Sequence, residues 1–120
     1  IAFADAVFKE FVKIRMTNPI FRLQNANEII NQVSFLNTGK EQQPGIIAMQ
    51  LKAATDTAQQ SVVVVFNANE TRQSLPFKNV NNYKLHPVQS TGADKILKQA
   101  TAKHGEFTVP ELSTVIFVKK

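Results

Sequence analysis

The run Ser61-Val62-Val63-Val64-Val65-Phe66 decides the fold class of this 120-residue chain. β-Branched side chains pack well on a pleated surface and lose rotamer freedom in a helix, so the run predicts a strand. Alternate residues of a strand point to opposite faces, and both faces of this strand are apolar. Both faces are therefore expected to be covered, which predicts a central strand in a layered β protein.

Shorter stretches with strand character lie on both sides of this run and are separated by turn residues. The additional predicted strands span 33–36, 46–53, 73–77, 83–88, 106–109 and 114–118. Two of them contain a proline, which cannot donate to a ladder: the run with Pro76 is predicted at an edge, and the run with Pro87 at an edge or a strand end. About seven strands in a hundred residues predict an antiparallel β-sandwich. The segment from Asp94 to Lys103 fits a short helix or a crossing loop equally well, and 55–60 is predicted as a loop.

The N-terminal residues have a different period. Four apolar side chains recur at steps of four, four and three residues, which is typical of a helix. This stripe consists of Phe3, Val7, Phe11 and Ile14. Asn18 precedes Pro19 and is therefore disfavoured in the helical region, so the helix is predicted to end near Thr17. The predicted fold is all-β, with one N-terminal α-helix before the sandwich.

The composition argues against several classes of function. There is no cysteine, which removes disulfides and thiolate chemistry. The net charge is +5, but the basic residues are scattered and are not interleaved with stacking aromatic rings, so no nucleic-acid partner is predicted. No run of 18 apolar residues occurs, so no membrane span is predicted.

Three stretches, taken in order, carry a resemblance to a known family. The first is FVKIR at 11–15 leading into NPIFRL at 18–23, the second is VSFLNTG at 33–39 with QQPGIIAM at 42–49, and the third is VVVVFNA at 62–68. Together they resemble the C-terminal region of pullulanase-type alpha-1,6-glucosidases of the alpha-amylase superfamily. The resemblance extends over nearly the whole chain.

The resemblance implies a domain organisation and a role. Residues 1–18 would be the last helix of a catalytic barrel that lies upstream, and residues 19–120 would be the C-terminal β-sandwich that rests against that barrel. The implied function is non-catalytic: the sandwich stabilises the barrel of a secreted, retaining glycoside hydrolase that debranches starch or pullulan. The parent would be extracellular, at the cell surface or periplasmic. Any calcium would bind elsewhere in the parent, and no cofactor is expected here.

The titratable residues favour a chain without its own active site. Retaining glycoside hydrolysis needs two carboxyl groups about 5 Å apart. The nine acidic residues are single and lie mostly beside turns or on the polar side of the helix, so no catalytic residue is predicted. His86 and His104 have no second ligand at metal-binding spacing, so no metal site is predicted either.

The partner of the helix is predicted from its apolar stripe. Within the parent, that partner would be the catalytic barrel of the same chain. In the isolated fragment, the stripe is expected to seek another apolar surface. It would fold back on the sandwich or form a homodimer through Phe3, Val7, Phe11 and Ile14.

A carbohydrate-binding module that contacts alpha-glucans is the alternative function, because such modules are also small β-sandwiches. They present flat aromatic rings to sugars. The chain has no Trp and one Tyr, so Tyr83 is the one ring offered as a candidate for substrate binding. The nine Phe residues are predicted to be core, with Phe35, Phe66 and Phe117 inside apolar strand runs.

Overall fold

The computed structural model describes residues 1–53 and 61–120. The loop predicted at 55–60 lies outside these residues. The strands are β1 Val33–Leu36, β2 Ile46–Lys52, β3 Ser61–Asn67, β4 Gln73–Pro76, β5 Tyr83–Leu85, β6 Thr101–Lys103, β7 Glu106–Val109 and β8 Ser113–Lys119. The α-helices are α1 Ala2–Thr17, α2 Ala26–Gln32 and α3 Pro87–Ser90. Short 3-10 helices span Pro19–Phe21, Val80–Asn82 and Lys95–Gln99.

The strands pair antiparallel in two sheets. The first sheet has the order β1-β2-β3-β8-β5, and the second sheet has the order β4-β7-β6. The Ser61–Asn67 strand lies at the centre of the first sheet, between β2 and β8, as its sequence predicts. The two proline-containing runs give β4 and β5, and both lie at sheet edges as predicted. The all-β sandwich with an N-terminal helix is confirmed, with eight strands in the described residues.

Both faces of β3 are covered, by different partners. Val63 and Val65 lie in the core between the two sheets, and neither is exposed to solvent. Val62 and Val64 lie in a second core, which α1 and the Pro19–Phe21 turn form against the other face of the first sheet. Because each face of β3 lies against its own core, a strand that is apolar on both faces is stable at this position.

Aromatic rings fill the middle of the core between the sheets. Phe107 of β7 stacks on Phe117 of β8, with ring centroids 4.3 Å apart. Phe77 and Tyr83 also contact the Phe107 ring, at 5.0 Å and 5.7 Å. Such ring pairs add stability beyond the area they bury and fix how the two sheets face each other.

The first helix ends where the sequence predicts. Thr17 is its last residue, and Asn18 is extended because Pro19 follows it. The Asn18 side chain accepts a hydrogen bond from the Ile20 backbone N–H at 3.0 Å, which caps the next 3-10 turn. This turn buries Ile20 in the same core as Ile14, so the joint after the helix is fixed to the sheet.

Three segments differ from the sequence prediction or complete it. The strand predicted at 83–88 ends at Leu85, because Pro87 favours the first turn of a helix and begins α3. The segment from Asp94 to Lys103, for which the sequence left helix and loop open, contains both a 3-10 helix and strand β6.

Helix α2 is not predicted by the hydrophobic pattern, because it buries no residue and so has no apolar stripe. Its signal is the cap: Asn25 accepts from the Glu28 N–H, and Glu28 accepts from the Gln24 N–H.

Candidate docking surface

The ring predicted as a glycan contact is in the core. Tyr83 is only 6% exposed, and its ring packs edge-on against Phe77 and Phe107. Its hydroxyl shares a 2.7 Å hydrogen bond with Ser61 Oγ. A buried ring offers no flat face to a sugar, so this structure gives no support to Tyr83 as a platform.

The histidines occupy turn positions. His86 precedes α3, and its Nδ1 accepts a hydrogen bond from the Val88 N–H at 3.1 Å. Burial lowers the pKa of His86, and the nearby Lys84 charge lowers it further. His104 adopts a left-handed conformation in the turn between β6 and β7. Within 1–53 and 61–120, no group of three or more His, Asp or Glu side chains is placed to hold a metal ion.

One side of α1 is fixed to the body of the domain. Ile14 is 2% exposed and packs with Val64 and Ile116, while Phe11 is half-buried beside them. The Glu10 carboxylate accepts a hydrogen bond from the Ala93 N–H at 2.9 Å, in the loop after α3. A side chain at Gly92 would come too close to this carboxylate and to the Val88 carbonyl, so glycine permits the close approach. The helix thus folds back on the sandwich, as one of the two predicted outcomes.

Three of the four residues of the apolar stripe are covered in this structure. Ile14 is buried against the sheet, and Val7 and Phe11 are half-buried, while the homodimer stays a prediction. Phe3 alone of the four is exposed, at the N-terminal end of the helix. The stripe therefore attaches the helix to its own domain, and another flank of α1 is available for a partner.

That other flank is apolar and open to solvent. Phe8, Val12 and Met16 recur every four residues and are all exposed; we call them the helix flank. Phe8 and Val12 are each two residues from Glu10, which places them about 160° around the helix from it. Lys9, Glu10 and Lys13 line a cleft that α1 forms with the segment 87–93. The helix flank therefore lies on the side of α1 away from Glu10 and this cleft.

A second set of apolar side chains is exposed on the sheet itself. Phe35 of β1, Ile47 of β2 and Phe66 of β3 are 58%, 57% and 40% exposed; we call them the sheet patch. The prediction that Phe35 and Phe66 are core is therefore wrong, whereas Phe117 is fully buried as predicted. Phe35 and Phe66 lie in apolar runs, as buried Phe117 does, so the local sequence does not distinguish the exposed rings from the buried one.

The sheet patch lies on the face that α1 packs against. Phe35 is paired with Met49, and Met49 is paired with Val64. Ile47 is paired with Phe66, two residues along the same strands. Paired residues of antiparallel strands point to the same side, so the patch is continuous with the core beneath α1. We call the helix flank and the sheet patch, taken together, the docking surface.

The comparisons with known proteins agree with this architecture. A family model described as alpha-1,6-glucosidases, pullulanase-type, C-terminal, matches residues 1–120. The chain belongs to this family. It is 35% identical over 125 residues to pullulanase 1, chloroplastic, from Arabidopsis thaliana, covering 93% of the chain. It is 26% identical over 119 residues to pullulanase from Klebsiella pneumoniae, covering 92% of the chain.

Solved structures confirm the fold of this pullulanase C-terminal domain. PulA from Klebsiella oxytoca superposes with a TM-score of 0.83 at 24% identity, over 95% of this chain and 12% of that one. The maltotriose complex of PulA from Klebsiella pneumoniae gives 0.79 at 22% identity, over 93% of this chain and 13% of that one. The chain spans only 13% and 11% of the two relatives in sequence, so it corresponds to one domain of a much longer enzyme.

The relatives do not fix a compartment for the pullulanase C-terminal domain. One is named as chloroplastic and the other comes from a bacterium, so the family occurs in more than one setting. The extracellular, cell-surface or periplasmic location expected from the resemblance stays a prediction. In the described part of the chain, no helix combines the length and the apolar character that crossing a bilayer requires.

Proposed function

We propose that this chain is a non-catalytic domain that packs on the catalytic barrel of a pullulanase-type enzyme and stabilises it. The observation that supports the proposal is the docking surface: six exposed apolar side chains, three on α1 and three on the first sheet. Large exposed apolar areas are typical of interaction sites. The parent would hydrolyse alpha-1,6 linkages in pullulan or starch, as the names of its relatives suggest.

The proposed domain boundary follows the same logic. Residues 1–18 would be the last helix of the barrel, and residues 19–120 the sandwich. A helix shared by two bodies needs two apolar sides, and α1 has them: Ile14 faces the sandwich, while Phe8 and Val12 are open to solvent. Burying each open side chain against the barrel would contribute roughly 1.5–3 kcal/mol.

The stabilising role is tested in the parent enzyme. A parent truncated after residue 18, and a full-length Phe8→Glu variant, are expected to lose pullulan hydrolysis at a lower temperature than the unaltered enzyme. Thr108→Glu is the matched control, because Thr108 is half-buried on the outer face of the second sheet, on the far side of the molecule. Equal thermal inactivation of all four proteins would refute stabilisation.

The non-catalytic role is tested with the isolated chain. We expect no hydrolysis of pullulan and no chemical-shift changes by NMR on titration with maltooligosaccharides, in the same samples. Hydrolysis would identify an enzyme. Shift changes without hydrolysis would instead identify a carbohydrate-binding module, whose one predicted aromatic contact, Tyr83, is buried here.

A further inference from the structure

Strand β1 is an open edge of the first sheet. Among the residues that the structure describes, it pairs with β2 on one side and has no strand on the other. The outward N–H and C=O groups of an edge strand can pair with another extended chain. Ser34 and Phe35, at the centre of β1, are both exposed. The backbone chemistry of this edge therefore fits an extended segment as its partner.

The other three edge strands of the two described sheets carry residues that oppose the addition of a strand. β4 ends in Pro76, which has no N–H to donate. β5 and β6 carry the exposed lysines Lys84 and Lys103, whose charges disfavour a neighbouring strand. β1 has neither protection, because the range 29–39 contains no charged residue and no proline. Of these four edges, β1 is the unprotected one.

Phe35 adds an apolar contact to the backbone chemistry of this edge. Its side chain lies on the same face as that of its pair partner Met49 and is 58% exposed. A strand added to β1 would place a side chain beside Phe35, with the Cβ atoms about 4.5–5.5 Å apart. A second phenylalanine is a favourable neighbour at this distance, because aromatic pairs across strands stabilise a sheet.

We infer that β1 pairs antiparallel with β1 of a second copy of this chain, with the two Phe35 rings side by side. Two identical antiparallel strands are related by a two-fold axis, so each strand supplies the complement of the other. No like charges meet at the axis, because the range 29–39 is uncharged. This contact uses the sheet edge and not the apolar stripe of α1, and it does not rest on the proposed function.

The size of the edge sets the expected strength of the contact. β1 has only four residues, whereas stable dimers bury roughly 1,200–2,000 Å² in total. We therefore expect weak association that depends on concentration. The product is expected to be a dimer and not a fibre, because a two-fold contact closes the unprotected edge of both copies at once.

Analytical ultracentrifugation of the chain at increasing concentration tests the inference. The unaltered chain is expected to shift from monomer towards dimer as its concentration rises to about 1 mM. Phe35→Lys is expected to weaken the association about tenfold or more, because it removes the ring contact and places like charges opposite each other. Ile47→Lys is the matched control. Ile47 is 57% exposed on the same face but lies on β2, so this variant is expected to associate like the unaltered chain.

The position of the contact is measured by isotope-filtered NMR on an equal mixture of labelled and unlabelled unaltered chains. We expect intermolecular contacts among residues 33–36, including contacts between the two Phe35 rings. These residues are exposed or half-buried, and circular dichroism of both variants checks that they remain folded. The NMR result needs no substitution, so it tests the inference even if Phe35→Lys does not fold.

Three outcomes would overturn the inference. The first is a chain that stays monomeric at the highest concentration. The second is an equal loss of association in both variants, which would place the contact on the face of the sheet. The third is a set of intermolecular NMR contacts at Phe3, Val7 and Phe11 in place of 33–36, which would place the contact on α1.

Discussion

At the scale of single residues, Gln89 replaces part of a missing strand. β5 ends at Leu85, so the backbone of β8 near Ile116 has no strand on the side away from β3. The His86 N–H donates to the Ile116 carbonyl at 2.8 Å. The Gln89 amide then donates to the Thr114 carbonyl at 3.0 Å and accepts from the Ile116 N–H at 2.8 Å. A side-chain amide thus makes the two bonds that a strand would make, which explains its burial.

We expect Gln89→Ala to destabilise the chain by about 2–4 kcal/mol, because it leaves two buried backbone groups of β8 without partners. Chemical denaturation measures this loss. The neighbouring Ser90→Ala is the control and is expected to change stability by less than about 0.5 kcal/mol, since Ser90 is exposed. Equal stability of both variants would show that Gln89 makes no structural contribution.

His86 makes stability depend on pH. Burial, followed by the Lys84 charge, lowers the pKa of His86 below its ordinary value. The unfolded chain, with a pKa of about 6.5, therefore binds the proton more readily than the folded chain. The stabilising contribution is complete above this value and is lost as the pH falls through the lower folded pKa. Protonation of Nδ1 also removes the acceptor for the Val88 N–H.

His86→Asn tests this dependence, because asparagine keeps a side-chain acceptor at the helix cap but does not titrate. The unaltered chain is expected to lose stability relative to the variant as the pH falls from about 7 to about 5. Denaturant midpoints at each pH give the difference. His104 is present in both proteins, so it does not affect the difference in stability between them. A constant difference across this range would contradict the assignment to His86.

At the scale of elements, strand β3 shows how one face can be half core and half surface. Val62 and Val64 are buried beneath α1 and the turn after it, while Phe66 on the same face is 40% exposed. The change occurs within two residues, at the point where the covering helix leaves the strand. The alternation of side chains along a strand identifies which residues share a face, but the neighbouring element decides how much of that face is buried.

This difference predicts unequal effects of the same substitution. Val64→Asp is expected to cost about 4 kcal/mol or more and to unfold the domain, because it buries an unpaired charge. Phe66→Asp, two residues along the same face, is expected to leave the isolated chain folded. Circular dichroism and thermal melting distinguish the two. Similar melting of both variants would mean that α1 does not cover Val64.

At the scale of the whole molecule, α1 carries both charged and apolar exposed side chains. Lys9, Glu10 and Lys13 line the cleft with the segment 87–93, where Glu10 accepts from the Ala93 N–H, whereas the side chains of the helix flank are open to solvent. The basic residues that give the net charge of +5 are scattered along the sequence, and the proposed docking does not depend on them. We therefore interpret the domain as a body with one apolar contact side, which fits a segment covering 13% of a longer relative.

Much of the fold was predictable because its causes are local. The valine run fixed a central strand, Pro76 marked an edge, and Asn18 before Pro19 ended α1. These outcomes follow from backbone sterics and side-chain branching, which act within a few residues. The family resemblance was also readable from short stretches, and the family model confirms it over residues 1–120.

The candidate site was decided by tertiary structure. Phe35, Phe66 and Phe117 all lie in apolar strand runs, yet only Phe117 is buried, because burial depends on which element covers each part of a sheet. Likewise, Ile14 of α1 is buried against the sheet while Phe8 of the same helix is exposed, because the packing of α1 on the sheet decides which side is covered. The sequence by itself determined the period and chemistry of each element. Only the packing of distant segments determined which apolar faces remain uncovered.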